Sequence, residues 1–189
     1  MGNKSIKDLM VPIEEYATVR VGASLLDAVN ALEKAQEAYT ASKYQHRAIL
    51  VLDSRKKVVG KIGQLRILKA VEASDDFDDE WETLKKYGFS DGYIASRKEQ
   101  NRVKNPILGK ASLLEAAAKR VEDFMQKPTP GEFVSEDCSL DVAIHKLVSG
   151  THLSLLVTRK DRIVGILKMA DVFGAVFHEM RKACLDEKR

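Results

Sequence analysis

An internal repeat is the feature that most constrains how this chain can fold. Residues 6–32 align with residues 121–147 without a gap, and after a length difference of nine residues the match resumes between residues 46–68 and 152–173. The identical pairs of the first block are Asp8/Asp123, Met10/Met125, Val19/Val134, Ser24/Ser139, Leu25/Leu140, Ala28/Ala143 and Leu32/Leu147. Similarity over this length indicates one structural unit written twice, whose copies bury their apolar faces together.

Each copy is predicted to contain the same elements in the order β-α-β-β-α. A short strand at 18–21 or 133–135 precedes a helix whose apolar residues recur at three- and four-residue steps. Ser24 and Asp27 have the spacing of a capping box at the start of that helix. Two apolar strands follow, at 48–52 with 58–62 and at 153–158 with 163–167, and a second helix closes each copy. In the last helix we predict a buried stripe formed by Val172, Phe173, Val176, Phe177 and Met180.

This duplicated order resembles a pair of CBS domains, the arrangement often called a Bateman module. The resemblance is carried by the Asp8-Leu9-Met10 opening, the Ser-Leu-x-x-Ala helix starts at Ser24 and Ser139, and the Val-Gly-Ile-Leu turn that leads to Asp171. It covers residues 5–72 and 120–182, and it is closest to stand-alone bacterial CBS-pair proteins. The implied fold is α/β, of the α+β kind, with repeats at 1–72 and 120–189 related by pseudo-two-fold symmetry and a helical insert at 73–119. The resemblance also implies a homodimer.

The second repeat carries the strongest candidate for a ligand site. CBS repeats that bind adenosine compounds commonly have a pattern similar to Gly-h-x-[Ser/Thr]-x-x-Asp, where h is apolar and the aspartate binds the ribose. The stretch GILKMAD, residues 165–171, supplies Gly165 and Asp171 but has Lys168 at the hydroxyl position. A strand-to-helix turn favours an anion, and a carboxylate there can accept hydrogen bonds from two ribose hydroxyls. Lys168 either contacts a phosphate or excludes it from the usual position.

The first repeat departs further from that pattern. Gly63 stands at the hydroxyl position and Arg66 replaces the aspartate, so the resemblance implies one competent site, or at most two unlike sites. Arg66 either binds a phosphate in the shared cleft or is a surface arginine. A His-Arg pair before the middle strand contacts phosphates in some members of the family, which makes His46, Arg47 and His152 candidates. Ordinary boundary histidines are the alternative, and Val134 and Leu155, expected near the adenine, are equally what a core would contain.

Residues 73–119 match neither copy. An acidic run at 75–82, with Phe77, Trp81 and Leu84 on one helix face, precedes a basic segment at 97–110. The apolar face either packs on the module or docks a partner protein.

The predicted function is a regulatory module, not an enzyme, that binds AMP, ADP, ATP or S-adenosylmethionine between its repeats and requires no cofactor. The alternative is a ligand-free dimeric structural module that recruits a protein through the Trp81 face. RNA or DNA binding through residues 97–110 is the weakest interpretation, because 31 basic residues are nearly balanced by 28 acidic ones.

Several classes of function are not supported by the residues. The sequence has no nucleophile elbow, P-loop or HExxH motif that would predict an enzyme. Cys138 and Cys184 lie far apart, with no neighbouring ligands at metal-site spacing, so no metal is predicted. No apolar run approaches the roughly 18 to 20 residues that span a bilayer, and the first residues lack a signal peptide's apolar core. We therefore expect no membrane association and a cytoplasmic location.

Overall fold

Two β-sheets, each built mainly from one repeat, organise the chain. The computed structural model describes residues 5–39, 45–72, 78–104 and 108–186. In spatial order, the first sheet contains β2 (Thr18–Arg20), β3 (Ala48–Leu52) and β4 (Val58–Gly63). The second contains β1 (Val11–Pro12), β7 (Arg162–Lys168), β6 (Ser154–Arg159) and β5 (Phe133–Ser135). The predicted mixed α/β class is confirmed.

The two sheets pair their strands in the same way. The first strand of each repeat runs parallel to the middle strand, with Thr18 opposite Leu50 and Phe133 opposite Leu156. The middle strand is antiparallel to the last one in both sheets, and both hairpins have an irregularity just after the equivalent residues Val51 and Val157. The middle strands are almost continuously buried, which explains their unbroken apolar sequence.

The repeats exchange their first segments, a feature that the β-α-β-β-α prediction lacked. Strand β1 of the first repeat pairs with β7 of the second, Val11 opposite Ile166. In return, Gln126 of the second repeat bridges to Lys61 in β4. The hydrophobic core of each repeat includes a side chain from the other. Ile6 of helix α1 (Ile6–Leu9) packs in the core of the second repeat, and Val121 of helix α7 (Val121–Phe124) packs in the core of the first.

The first long helix of each repeat is α2 (Leu25–Ala38) or α8 (Leu140–Ser149). The capping box of α2 is confirmed, because the Asp27 N–H donates to Ser24 Oγ at 3.1 Å and the Ser24 N–H donates to Asp27 Oδ2 at 2.9 Å. Helix α2 has 14 residues and α8 has 10. The additional turn of α2 lies where the repeats differ in length, and Tyr39 is the residue that caps the C-terminus of the helix.

The closing helices are α3 (Gln64–Glu72) and α9 (Met169–Asp186). The predicted buried stripe of α9 is wrong in part. Val172 is buried and Val176 partly buried, but Phe173, Phe177 and Met180 are 64%, 52% and 60% exposed. Periodicity alone could not separate the face that packs on the module from the adjacent face, because both are apolar.

The segment between the repeats contains α4 (Asp78–Lys86), α5 (Asp91–Lys104) and α6 (Lys110–Ala118). Helix α6 packs on the first repeat, where Ala116 meets Leu25 and Ala70 in a small apolar cluster. Phe77 and the Trp81 side chain lie outside the described residues, so the proposed Trp81 face stays a prediction. The residue limits of the repeats and of the insert likewise stay predictions.

Candidate functional site

Asp171 and Lys168 form an ion pair at the junction of β7 and α9. Lys168 is the last residue of β7, and Asp171 lies in the first turn of α9. The Lys168 Nζ atom is 3.1 Å from Asp171 Oδ2, and the two side chains are only 6% and 10% exposed. The sequence thus brings its two main candidate residues of the second repeat into direct contact.

A group of three aromatic rings from the first repeat lies beside this pair. The rings of His46 and Tyr16 are stacked, with centroids 4.5 Å apart, and Tyr39 lies 4.6 Å from His46 at a tilted angle. The Lys168 ammonium lies over the Tyr39 ring, 5.1 Å from its centroid, at a distance typical of a cation–π contact. We call these five residues, Tyr16, Tyr39, His46, Lys168 and Asp171, the inter-repeat cluster.

The electrostatics of the cluster follow from its burial. His46 is fully buried, which together with the nearby Lys168 charge lowers its pKa to about 4, so the ring is neutral at pH 7. Burial, with a further contribution from the Asp171 carboxylate, raises the pKa of Tyr16 and of Tyr39. Neither ring nitrogen of His46 has a hydrogen-bond partner among the described residues. Such buried, unsatisfied atoms are uncommon, and they can bond to a ligand.

A cavity of about 550 Å³ adjoins the cluster on the side of the first repeat. Tyr16 and Tyr39 contribute to its wall, and three alanines of α2, Ala31, Ala35 and Ala38, leave the space open. Glu14, Glu15 and Lys34 also line it. Because the longer α2 supplies part of the wall, the cavity depends on the segment by which the two repeats differ in length.

The remaining candidates of the first repeat are Arg47 and Arg66. Arg47 is exposed beside His46, and its backbone carbonyl accepts a hydrogen bond from the Gln64 N–H. Arg66 is partly buried in α3. No distance links either arginine to Asp171, so their roles as phosphate ligands stay predictions.

The candidates of the second repeat other than Lys168 and Asp171 are placed differently. Val134 and Leu155 are 3% and 0% exposed and belong to one core cluster with Ile6 and Leu167. Their expected contact with adenine stays a prediction, since core packing alone accounts for their positions. His152 is partly buried and packs so closely over Gly150 that a Cβ atom there would overlap its ring.

The position that corresponds to Tyr16 in the second repeat is Gly131, and the adjacent Glu132 forms a different ion pair. Glu132 is 7% exposed and pairs with Lys61 of β4, across the two repeats. Its Oε1 atom also accepts a hydrogen bond from the Thr129 N–H at 3.1 Å. The two repeats therefore hold unlike polar groups at their shared boundary.

Sequence reasoning missed Tyr16 and Tyr39. Tyr16 aligns with Gly131, and Tyr39 lies in the segment where the repeats differ in length, so neither produced a repeated pattern. The one available signal was the length difference itself, which marks a local structure that only the first repeat has.

Two other kinds of site are not found in the part of the chain that the structure describes. No group of three or more His, Cys, Asp or Glu side chains is arranged to hold a metal ion in the described ranges. Over the same residues, no helix combines the length and apolar character needed to cross a membrane.

Comparisons with known proteins agree with this architecture. Residues 121–178 match the family described as CBS domain. A CBS domain-containing protein of unknown function from Bacillus anthracis superposes with a TM-score of 0.58 at 19% identity, over 93% of this chain and 94% of that one. CBSX2 in complex with AMP gives 0.57 at 18% identity, over 92% and 97%. At these identities the structures establish a shared fold, and no curated protein matches the chain significantly.

One further structure extends the comparison to the cytosolic domain of a Mg²⁺ channel. The cytosolic domain of the Mg²⁺ channel MgtE, in complex with ATP, has a TM-score of 0.53 at 16% identity, over 90% of this chain and 48% of that one. The matched fold is therefore found both in proteins of similar length and within a longer chain.

Proposed function

We propose that this chain, which is a CBS-domain protein, is a regulatory module that binds an adenosine-containing ligand beside Asp171. The observation that carries the proposal is the inter-repeat cluster, in which the Asp171 carboxylate pairs with Lys168 and the Lys168 ammonium lies over the Tyr39 ring of the other repeat. A ligand bound to this cluster would contact both repeats at once.

Each part of the cluster suits one part of such a ligand. The Asp171 carboxylate can accept hydrogen bonds from two ribose hydroxyls. The N-terminus of α9, an 18-residue helix, favours a phosphate, and His46 with neighbouring Arg47 would add donors. A planar base can stack on aromatic rings of the kind that Tyr16 and Tyr39 supply. Two structures with the same fold support an adenosine-containing ligand, since CBSX2 is in complex with AMP and the MgtE domain is in complex with ATP.

We propose a single site of this kind. The equivalent position of the first repeat has Arg66 in place of the carboxylate, and Gly63 removes the hydroxyl group. Regulation would follow because a ligand that holds both repeats favours one arrangement of the repeats over another, and only a difference in affinity between the two can do this. We further propose that the module has no catalytic activity of its own and works in the cytoplasm.

Thermal unfolding of nucleotide-stripped protein tests this function. At a concentration one hundred times the dissociation constant, a ligand adds about 2.7 kcal/mol, which raises the midpoint by roughly 5 to 11 °C. We expect this shift with AMP, ADP, ATP or S-adenosylmethionine, and a much smaller shift in Asp171→Asn. Asp161→Asn, in the exposed turn between β6 and β7, is the matched control. If none of the four compounds shifts the midpoint, the proposed function is wrong.

A second candidate is a dimeric module that recruits a partner protein. The exposed face of α9, with Met169, Phe173, Phe177 and Met180 at helical spacing, supports a homodimer in which two copies cover these side chains. In the insert, Phe89 and Tyr93 are exposed and stacked with centroids 5.0 Å apart, which supports docking of a partner there. Loss of a co-purifying protein in Tyr93→Ala, with the homodimer retained, would favour this candidate.

A further inference from the structure

Lys168 has an unusual position for a charged residue. It is the last residue of β7, it is 5% exposed, and its ammonium is held between the Asp171 carboxylate at 3.1 Å and the Tyr39 ring at 5.1 Å. Removing a lysine charge from water carries a large cost, which an ion pair and an aromatic face offset in part. Lys168 is thus a fixed positive charge at the place where the ligand of Asp171 would bind.

Two carboxylates supply negative charge near Lys168. Asp171 carries the opposite charge, and Glu15 contributes a weaker negative field at Tyr39. His46 is neutral at pH 7 because burial and Lys168 depress its pKa, and Tyr16 is neutral because burial raises its own. Lys168 and Asp171 therefore compensate each other within a group of neutral rings.

A ribose would disturb this compensation. Its hydroxyls are neutral donors, so when they occupy the lone pairs of Asp171 they weaken the ion pair with Lys168 without replacing the negative charge. A phosphate on the same ligand supplies a new negative partner for the ammonium. A sulfonium instead adds a second positive charge in a place shielded from water, where repulsion between like charges is strong.

We propose that Lys168 makes the inter-repeat cluster selective for adenosine compounds that carry phosphate, against neutral adenosine and against cationic S-adenosylmethionine. The proposal rests on the proposed function and narrows its ligand class. On binding, the ribose takes the oxygens of Asp171 and the phosphate becomes the principal charge partner of Lys168. Lys168 is thereby the residue that determines specificity, in a position where related repeats have a hydroxyl.

Isothermal titration of the full, nucleotide-stripped chain with AMP, adenosine, S-adenosylmethionine and inorganic phosphate tests this selectivity. Wild type is expected to bind AMP about tenfold or more tightly than adenosine, as one charge-assisted contact predicts, and to bind S-adenosylmethionine most weakly. Lys168→Met should reduce the preference for AMP over adenosine to less than about threefold and improve binding of S-adenosylmethionine. Lys168→Arg, which keeps the charge, should retain the preference for AMP.

Two precautions keep the outcomes distinct. Lys168→Met removes the ammonium partner of Asp171 and offers no donor in its place, so Lys168→Ser, whose hydroxyl can donate a hydrogen bond, is titrated in parallel. Circular dichroism reports whether each variant is folded. Equal affinity of wild type for AMP, adenosine and S-adenosylmethionine would overturn the selectivity and leave the proposed function standing. If folded Lys168→Met and Lys168→Ser both keep the wild-type preference for AMP over adenosine, the selectivity is likewise overturned and the proposed function stands. If wild type binds none of the adenosine compounds, the selectivity and the proposed function are both wrong, and inorganic phosphate binding alone would identify a simple anion site.

Discussion

Gly165 of β7 lies directly against the backbone of Val11 from the other repeat. A Cβ atom at this glycine would be 2.6 Å from the Val11 carbonyl oxygen and 3.1 Å from the sulfur of Met10. The equivalent contact is present in the first repeat, where a Cβ atom on Gly60 would overlap the side chain of Met125 from the second repeat. The paired Met and Gly of the internal repeat are thus explained together, because each methionine crosses over the glycine of the opposite repeat.

Gly165→Ala should destabilise the protein. The added methyl group meets a backbone atom that cannot turn away, and overpacking of this kind typically costs about 1–3 kcal/mol. Gly63→Ala is the matched control, since a Cβ atom at Gly63 has nothing within 4 Å and the expected change is below about 0.5 kcal/mol. Urea unfolding of both variants measures the difference, and equal midpoints would contradict the close approach of β1 to β7.

His46 should make stability depend on pH between about 6.5 and 4. Its pKa is lower in the folded protein than in the unfolded chain, so the unfolded chain takes up protons first and stability is lost as the pH falls through this window. His46→Phe keeps a ring between Tyr16 and Tyr39 and removes two unsatisfied nitrogens. We expect the variant to be at least as stable as wild type at pH 7, with a flatter profile. Stability is measured by thermal unfolding without ligand at each pH. If wild type and His46→Phe show the same dependence of stability on pH, His46 is not a buried neutral residue.

Glu132 should contribute stability that is lost in acid. Burial acts to raise its pKa, but hydrogen bonds from Lys61 and Thr129 outweigh burial and lower it. The contribution is therefore complete above the usual glutamate pKa of about 4.3 and disappears as the pH falls through the lowered value. At pH 7, Glu132→Gln should cost about 1–3 kcal/mol. The gap between variant and wild type, measured by thermal unfolding, should narrow as the pH is lowered from 7 to 3.

A matched ion pair controls for this prediction. Lys7 and Asp137 are 2.6 Å apart but 49% and 73% exposed, so solvent screens their interaction. Asp137→Asn should therefore change stability by less than about 1 kcal/mol. If Glu132→Gln and Asp137→Asn lower the stability equally, the burial of Glu132 does not strengthen its ion pair.

The exposed face of α9 should hold the proposed homodimer together. Phe173 and Phe177 stack with centroids 6.2 Å apart and are both accessible, so an aspartate in place of each would bring charge into the interface. We expect the Phe173→Asp, Phe177→Asp double variant to elute as a monomer in size-exclusion chromatography with light scattering. Val148→Asp, at a 71% exposed position on α8, should stay dimeric. A monomeric wild type would remove the homodimer from the proposed function.

Much of the fold could be predicted because the sequence contains it twice. The middle strand of each repeat is a continuous apolar run, and the Ser24–Asp27 capping box fixes the start of α2, so these elements agree with the prediction to within a residue or two. Strand β1 could not be predicted, because it has two residues, one of them a proline, and forms only through its contact with β7.

The candidate site was less predictable for a related reason. Asp171 and Lys168 could be found because they stand in a turn with a recognisable pattern, and their mutual contact follows from their spacing. Tyr16 and Tyr39 come from the other repeat, and only the three-dimensional packing brings them to Lys168 and His46. A pattern within one repeat carries no information about side chains that the opposite repeat supplies.

The exchange of β1 and Gln126 between the sheets has a consequence for how the chain folds. Without residues 6–12, the second sheet loses its edge strand and the core around Leu155 loses Ile6. Without residues 121–126, the first sheet loses its bridge at Lys61 and its core loses Val121. Neither repeat is therefore a complete folding unit, and residues 121–178 translated alone would expose the β7 edge. The two repeats should gain and lose structure together, in one cooperative transition.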